Sequence, residues 1–231
     1  LFVDETRDFS GGQGNPTDEE QDLFFEFISE GYPITFHDIV DEGLLRINDM
    51  GPFSTLVWVD DDPTTQYLAE IDQHLADYLE AGGNLLFAGW RSFADYGAGR
   101  PLDFEEGSFP FDYLSISSVN TTLSPDFSGA TGVEGWPDLN VIPERVLPQW
   151  DGLLIAVDVM DLNEDPTPIY EYISASEDTL FDGRPVGIYI ENDIYKTVYL
   201  TFPIYPMGDT AAREMFITAM DIFGEQRTEI V

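Results

Sequence analysis

Apolar residues recur at two spacings along the first 95 positions, and each spacing predicts one kind of element. Thr17 followed by Glu20 forms a capping box, and apolar residues then recur at helical intervals up to Gly31. A second amphipathic stripe covers residues 65–80. Short, nearly continuous apolar runs predict buried strands, and they lie at 2–3, 34–40, 54–62 and 84–88. This β-α-β-β-α-β order predicts an α/β domain.

The second half of the chain predicts more strands and one closing helix. Residues 96–150 are rich in Gly, Pro, Ser and aromatic side chains, which indicates an irregular insertion rather than a separate domain. Strands are predicted at 153–159, 168–173, 186–192 and 196–204, the last two as an antiparallel hairpin, and a helix at 210–223. Residues 1–231 are therefore predicted to form one domain. Its fold class is an α/β three-layer sandwich with a central, mainly parallel sheet, the late hairpin and the insertion.

A candidate ligand site lies where these strands end. The stretch "GGNLLFAGWRSFAD" runs from an apolar strand into a turn that presents Trp90 and Arg91. Open α/β sheets bind ligands at the carboxyl ends of their strands, and several acidic residues end the neighbouring strands. We expect Arg91 to pair with one of these carboxylates. The candidate ligand-binding residues are Asp4, Glu5, Asp60, Asp61, Trp90 and Arg91.

The order of these elements resembles class I glutamine amidotransferase-like domains, which have a flavodoxin-like α/β fold. The resemblance rests on the first strand ending in Asp4 and Glu5, the LLFAG strand with its turn, and the late "TFPIYPM" segment before a final helix. It implies a Cys at the turn and a late His with a Glu, but Trp90 and Arg91 stand at the turn and residues 201–207 hold no His. The resemblance therefore implies a catalytically degenerate domain, of the kind found as a module in secreted bacterial proteins.

Other hydrolytic chemistry is only partly excluded by the residues present. Ser92 is the hydroxyl at the turn, but His37 falls inside a predicted strand and His74 beside an apolar helix stripe, so we expect no Ser-His triad. Paired carboxylates could carry glycoside hydrolysis. Aromatic residues at the turn and in the insertion could stack on sugars or anchor a protein, although core packing is the favoured interpretation of them.

Acidic loops are the candidate metal sites. Asp161-x-Asn163-x-Asp165 matches the first three ligand positions of a calcium loop, but Pro166 stands where that loop needs Gly. A looser Ca²⁺ site from Asp158, Asp161 and Asp165 stays open, as does one from the acidic run at 60–62. Without clustered His or Cys, zinc is disfavoured, and we predict no organic cofactor.

The charge balance narrows the choice of partners. The chain has 45 Asp and Glu against 9 Lys and Arg, a formal net charge of −36 that repels nucleic acid and anionic membranes. Salt should screen the resulting self-repulsion, as in proteins of saline environments. The 231 residues include no Cys, which excludes disulfides and fits an exported or archaeal protein. The start inside a strand suggests a mature product or a piece of a longer chain.

These patterns favour a non-catalytic structural or binding module of an extracellular or cell-surface assembly. We expect a protein partner, self-assembly or a glycan ligand, without nucleic-acid binding or membrane insertion. The alternative function is a carboxylate-dependent hydrolase acting on carbohydrate, and the alternative location is the cytoplasm of a salt-adapted organism. A solute-binding protein is a third class, which would need two lobes where the sequence predicts one.

Overall fold

The computed structural model describes residues 1–7, 9–176 and 180–228. Its strands are β1 (Phe2–Asp4), β2 (Phe36–Asp38), β3 (Thr55–Asp60), β4 (Asn84–Gly89), β5 (Leu102–Asp103), β6 (Ile116–Asn120), β7 (Phe127–Gly132), β8 (Leu139–Asn140), β9 (Val159–Leu162), β10 (Thr167–Ser174), β11 (Pro185–Glu191) and β12 (Lys196–Leu200). Its helices are α1 (Asp18–Ser29), α2 (Ile39–Glu42), α3 (Ile47–Met50), α4 (Leu68–Glu80), α5 (Phe109–Asp112) and α6 (Asp209–Phe223), with 3₁₀ turns at Ala94–Tyr96, Pro143–Arg145 and Pro148–Trp150.

Within the described residues, nine strands form one mixed sheet in the order β2-β1-β3-β4-β12-β11-β10-β7-β8. The ladders from β2 to β12 are parallel, whereas those from β12 to β8 are antiparallel. Strands β5, β6 and β9 form a second, antiparallel sheet. The predicted three-layer sandwich around a mainly parallel sheet is therefore wrong, because half of the strand pairings in the described sheet are antiparallel. Helices account for only 27% of the described residues.

Of the parallel strands, β1, β3, β4 and β12 are largely buried because their side chains alternate between two apolar clusters, whereas the edge strand β2 is partly exposed. In β3, Val57 and Val59 enter a cluster that also contains apolar residues of α1 and α6. Leu56 and Trp58 of the same strand enter the other cluster, with the apolar stripe of α4. The loops at the strand ends are thereby fixed against a sheet that packs on both faces.

Local sequence signals located several elements correctly. The capping box forms, with the Thr17 side chain accepting from the Glu20 amide and the Glu20 carboxylate accepting from the Thr17 amide. The late hairpin forms as β11 and β12, which confirms that prediction. The helix predicted at 65–80 begins at Leu68, and the one predicted at 210–223 begins at Asp209.

Three predicted segments differ from the structure. The strand predicted at 34–40 ends at Asp38, whose carboxylate accepts from the Val40 and Asp41 amides and so begins α2. Residues 153–158 form no regular strand, because the backbone of Ala156 turns into the left-handed region, φ 56°. The insertion also holds β7 and β8, which extend the main sheet. Within the described residues, no helix is long and apolar enough to cross a membrane.

Candidate functional site

The predicted site residues lie at one edge of the sheet, where β1, β3 and β4 end. Asp4 ends β1 and Asp60 ends β3, the neighbouring strand. The Trp90 amide donates to the Asp60 carbonyl oxygen at 2.9 Å, which holds the turn after β4 against the end of β3. A ligand can contact only those side chains that face an open cleft, whereas the others are enclosed in the protein interior.

Glu5 and Asp60 form a buried pair of carboxyl groups beneath this edge. Glu5 accepts hydrogen bonds from the Trp58 indole at 2.5 Å and from the Tyr67 amide at 2.9 Å. Asp60 accepts from the Asp62 amide, whereas its Oδ2 has no partner among the described residues. Burial, followed by the charge of Glu5, raises the pKa of Asp60 well above its ordinary value, and burial also raises that of Glu5. Because Glu5 has two good donors, we place the shared proton on Asp60.

Asp4, Asp61 and Asp62 have different surroundings. Burial raises the pKa of Asp4 to about 6 and that of Asp61 to about 7. Asp4 accepts from the Thr6 amide at 2.7 Å and Asp61 accepts from the Tyr205 amide at 3.2 Å. Asp62 is instead ion-paired with Arg7 at 2.5 Å. Asp61 is thus a carboxyl group that carries a proton for much of the time near neutral pH.

A cleft of about 350 Å³ opens above this edge, and Asp61 is the acidic residue among the described residues of its wall. We call it the edge cleft. Its lining comes from six separate parts of the chain, and the residues used below are Gln21, Asp61, Trp90, Arg91, Trp150 and Tyr205. The predicted residues Asp4, Glu5 and Asp60 lie outside this lining. The structure therefore brings together three of the six predicted ligand-binding residues at the edge cleft.

The aromatic walls of the edge cleft are held in fixed orientations. The Trp90 indole donates to the Ile155 carbonyl oxygen at 2.7 Å and meets Trp150 edge to face, with ring centroids 5.5 Å apart. The Arg145 guanidinium lies over the Tyr205 ring, 4.7 Å from its centroid. Trp90 is buried, but Trp150 and Tyr205 are half-buried and leave ring surface available to a ligand.

Two buried polar atoms of the cleft residues lack hydrogen-bond partners in the part of the chain that the structure describes. They are Oδ1 of Asp61 and Oε1 of Gln21, on side chains that are otherwise almost fully enclosed. Buried polar groups normally find partners, because an unsatisfied one costs about 1–3 kcal/mol. The edge cleft is therefore lined by residues that offer flat aromatic surface and by two side chains with an unused hydrogen-bond acceptor.

The turn after β4 differs from the sequence prediction in one respect. Arg91 adopts the left-handed conformation, φ 60°, and its Nη1 donates to the Pro63 carbonyl oxygen at 2.8 Å. Within the described residues no carboxylate lies within 4.0 Å of it, so the predicted ion pair does not form. The carboxylate of Asp158 is already held by Arg100 at 3.0 Å, which is one reason that Arg91 has no close partner there.

The hydroxyl and imidazole groups considered for catalysis lie elsewhere. Ser92 is buried, and its Oγ is hydrogen-bonded to the Tyr199 hydroxyl at 2.7 Å. His37 contacts the Gly43 carbonyl oxygen, and His74 lies on α4. Neither histidine lines the edge cleft. A Ser-His pair is accordingly not assembled among these groups.

The predicted calcium ligands do not converge. Asp158 is buried and paired with Arg100, whereas Asp161 is exposed and accepts from Ser118 and Arg184. Asp165 is exposed in a turn after β9. Within the described residues, the three carboxylates with oxygens within 4.8 Å of one another are Asp4, Asp18 and Asp22. Calcium binding stays a prediction.

Sequence reasoning missed part of the aromatic wall. Trp150 lies in the stretch interpreted as an irregular insertion, and Tyr205 follows β12 in the late "TFPIYPM" segment. The position of Tyr205 carried a usable signal in the sequence, since it follows the end of a central strand. Most of the aromatic residues at the turn and in the insertion pack in the two clusters instead, among them Phe93, Phe104 and Trp136.

Comparisons with known proteins identify the fold but no family. No family model matches the chain, and no curated protein does so. Among solved structures, the β-galactosidase of the Antarctic haloarchaeon Halorubrum lacusprofundi matches 90% of this chain with 17% identity and a TM-score of 0.57, over 27% of its own length. Gan42B, a GH42 β-galactosidase from G. stearothermophilus, matches 100% of this chain with 12% identity and a TM-score of 0.59, over 30% of its length.

A third structure shows that this fold can make up a whole chain. A cytoplasmic protein of Salmonella typhimurium LT2 matches 98% of this chain and 99% of its own, with 12% identity and a TM-score of 0.55. By contrast, this chain spans less than a third of the length of the two β-galactosidase chains that it resembles. None of these structures points to a glutamine amidotransferase-like domain, so the predicted resemblance is wrong. It rested on element order, which does not separate unrelated folds built from similar units.

Proposed function

We propose that this chain has a carbohydrate-related role and that the edge cleft binds a sugar ring. The observation that carries the proposal is the combination of exposed aromatic surface, on Trp150 and Tyr205, with unpartnered polar atoms on Asp61 and Gln21. Sugar rings offer apolar C–H faces to aromatic rings and hydroxyl groups to such atoms. The fold shared with part of two β-galactosidase chains supports this class of ligand.

The binding step follows from the groups in the wall. Oε1 of Gln21 accepts from a sugar hydroxyl, and the carboxyl group of Asp61 accepts or, when protonated, donates. Each new bond satisfies an atom that is otherwise buried without a partner. We therefore expect binding to gain from polar contacts as well as from ring stacking.

Replacing Trp150 by alanine tests this proposal by isothermal titration with galactose and small galactosides. Because stacking on one aromatic ring is lost, we expect the affinity to fall roughly tenfold. Tyr113→Ala is the matched control, since Tyr113 is a half-buried aromatic residue in the cluster on the other face of the sheet. Failure of every saccharide to bind, or equal affinity in Trp150→Ala and the parent chain, would contradict the proposal.

Hydrolysis is a second candidate, because Asp61 offers a proton inside the edge cleft near neutral pH. Glycoside hydrolysis needs a second carboxyl group, and among the described lining residues Asp61 is alone. Glu20 and Glu144 line an adjoining cavity that shares Arg145 and Tyr205 with the edge cleft. Release of nitrophenol from a nitrophenyl galactoside, lost in Asp61→Asn, would establish cleavage. Binding without release would leave the cleft a binding site.

A further inference from the structure

We infer that Arg91 binds the oxyanion of an acidic saccharide, so that the ligand of the edge cleft is a sugar bearing a carboxylate or a sulfate ester. This inference rests on the proposed sugar-binding function and names its ligand class. It is carried by the position of Arg91, by the absence of an ion pair to it among the described residues, and by the local charge of the lining.

Arg91 stands between two cavities. It lines the edge cleft and also a second cavity of about 410 Å³, whose wall includes Arg100, Thr121 and Leu123. Leu123 lines both cavities as well, so the guanidinium lies where the two meet. A group attached to a sugar ring in the edge cleft can therefore reach Arg91 without entering the protein interior.

Within the described residues, the hydrogen bond of the Arg91 guanidinium to Pro63 uses only part of its donor capacity. One of its five N–H groups donates to the Pro63 carbonyl oxygen, and within the described residues no carboxylate lies within 4.0 Å. The other two arginines that line these cavities are ion-paired, Arg100 with Asp158 at 3.0 Å and Arg145 with Asp209 at 2.5 Å. Within the described residues, Arg91 is thus a half-buried arginine whose charge acts on Asp158 without pairing to it, in a chain with 45 acidic and 9 basic residues.

The wall of the edge cleft reverses the charge balance of the protein. Among its described lining residues the acidic one is Asp61, whereas two are basic, Arg91 and Arg145. The chain as a whole carries a formal charge of −36. An anion is therefore repelled by most of the surface and accepted at this cleft, which is a source of selectivity.

The geometry of the guanidinium suits an oxyanion. Its planar array of N–H groups bonds two oxygens of a carboxylate or sulfate in parallel, which a neutral hydroxyl cannot match. The left-handed backbone of Arg91 is uncommon for a residue with a side chain, and such strain concentrates at functional sites. Arg91 is thus a candidate specificity residue rather than a catalytic one.

Titration calorimetry with galactose, galacturonate and galactose 6-sulfate at one ionic strength tests the inference. We expect at least one charged sugar to bind roughly tenfold or more tightly than galactose, because charge-assisted bonds add to the neutral contacts. Arg91→Gln should remove this preference, and a thermal unfolding midpoint close to that of the parent chain shows that the variant folds. Arg91→Lys should keep part of the preference.

Arg184→Gln is the matched control, since Arg184 pairs with Asp161 outside both cavities. Which charged sugar binds more tightly identifies the oxyanion. Equal affinity for charged and neutral sugars, or a preference that survives Arg91→Gln, would overturn this inference and leave the proposed function standing. Failure of all three sugars to bind would remove both.

Discussion

The free energy of unfolding is expected to fall as the pH rises from about 4 to about 7, and each buried carboxyl group contributes up to about 1.4 kcal/mol per pH unit between its unfolded and its folded pKa. Burial raises the pKa of Asp4 to about 6 and of Asp61 to about 7, and it raises that of Asp60 well above its ordinary value. The unfolded chain releases these protons near pH 4. Between the two pKa values the folded state holds more protons, so stability is greatest at acidic pH and is lost as the pH rises.

Denaturant unfolding at several pH values measures this slope. About 1 M NaCl should be present throughout, because it screens the self-repulsion of surface carboxylates that also grows with pH. Asp60→Asn should flatten the profile by about 1.4 kcal/mol per pH unit, since the amide carries no proton to lose. Asp103→Asn, at an exposed position on β5, controls for the loss of one negative charge. Stability that stays constant or rises up to pH 8 would show that these carboxyl groups are not buried as described.

Removing Trp90 should be the most damaging single change at the edge cleft. Its indole is buried, donates to the Ile155 carbonyl oxygen and meets Trp150 edge to face. Trp90→Ala should therefore cost about 3–5 kcal/mol of stability through the space it leaves. Sugar affinity should fall as well, since Trp150 loses the ring that orients it.

Trp90→Phe separates packing from hydrogen bonding. It keeps a ring and loses the donor to Ile155, so we expect a smaller cost of about 1 kcal/mol. Thermal unfolding of both variants, followed by saccharide titration of those that fold, measures the two effects. Equal stability of Trp90→Ala and the parent chain would show that the indole is not part of the packed wall.

Local signals in the sequence were enough to locate several elements and the edge of the sheet. The capping box at Thr17 and the apolar stripe of α4 depend on neighbours within one helix, and both are present. The acids that end β1 and β3 lie side by side because parallel strands end at one edge. These features depend on short-range chemistry that a single chain displays directly.

The antiparallel half of the sheet had no comparable signal. Strand β7, "FSGATG", lacks apolar alternation because other backbone segments approach it closely. A Cβ at Gly132 would lie 2.0 Å from the Trp136 carbonyl oxygen, and one at Gly129 would lie 2.4 Å from that of Leu139. These positions require glycine because of close contacts that exist only in the folded protein. In isolation, the same sequence predicts a loop.

Partners across the chain also could not be predicted. Arg91 was expected to pair with an acid at the strand ends, but Asp62 is held by Arg7 and Asp158 by Arg100. Trp150 reaches the edge cleft from a 3₁₀ turn about 60 residues away from Trp90 in the sequence. Pairings between distant residues depend on the tertiary fold, which the order of helices and strands does not determine.

The most direct test of sugar binding at the edge cleft is a crystal structure of this chain with a saccharide bound. The account predicts a ring against Trp150 and Tyr205, with its hydroxyl groups bonded to Oδ1 of Asp61 and Oε1 of Gln21. The same saccharide bound elsewhere on the protein, with the edge cleft holding only water, would contradict it.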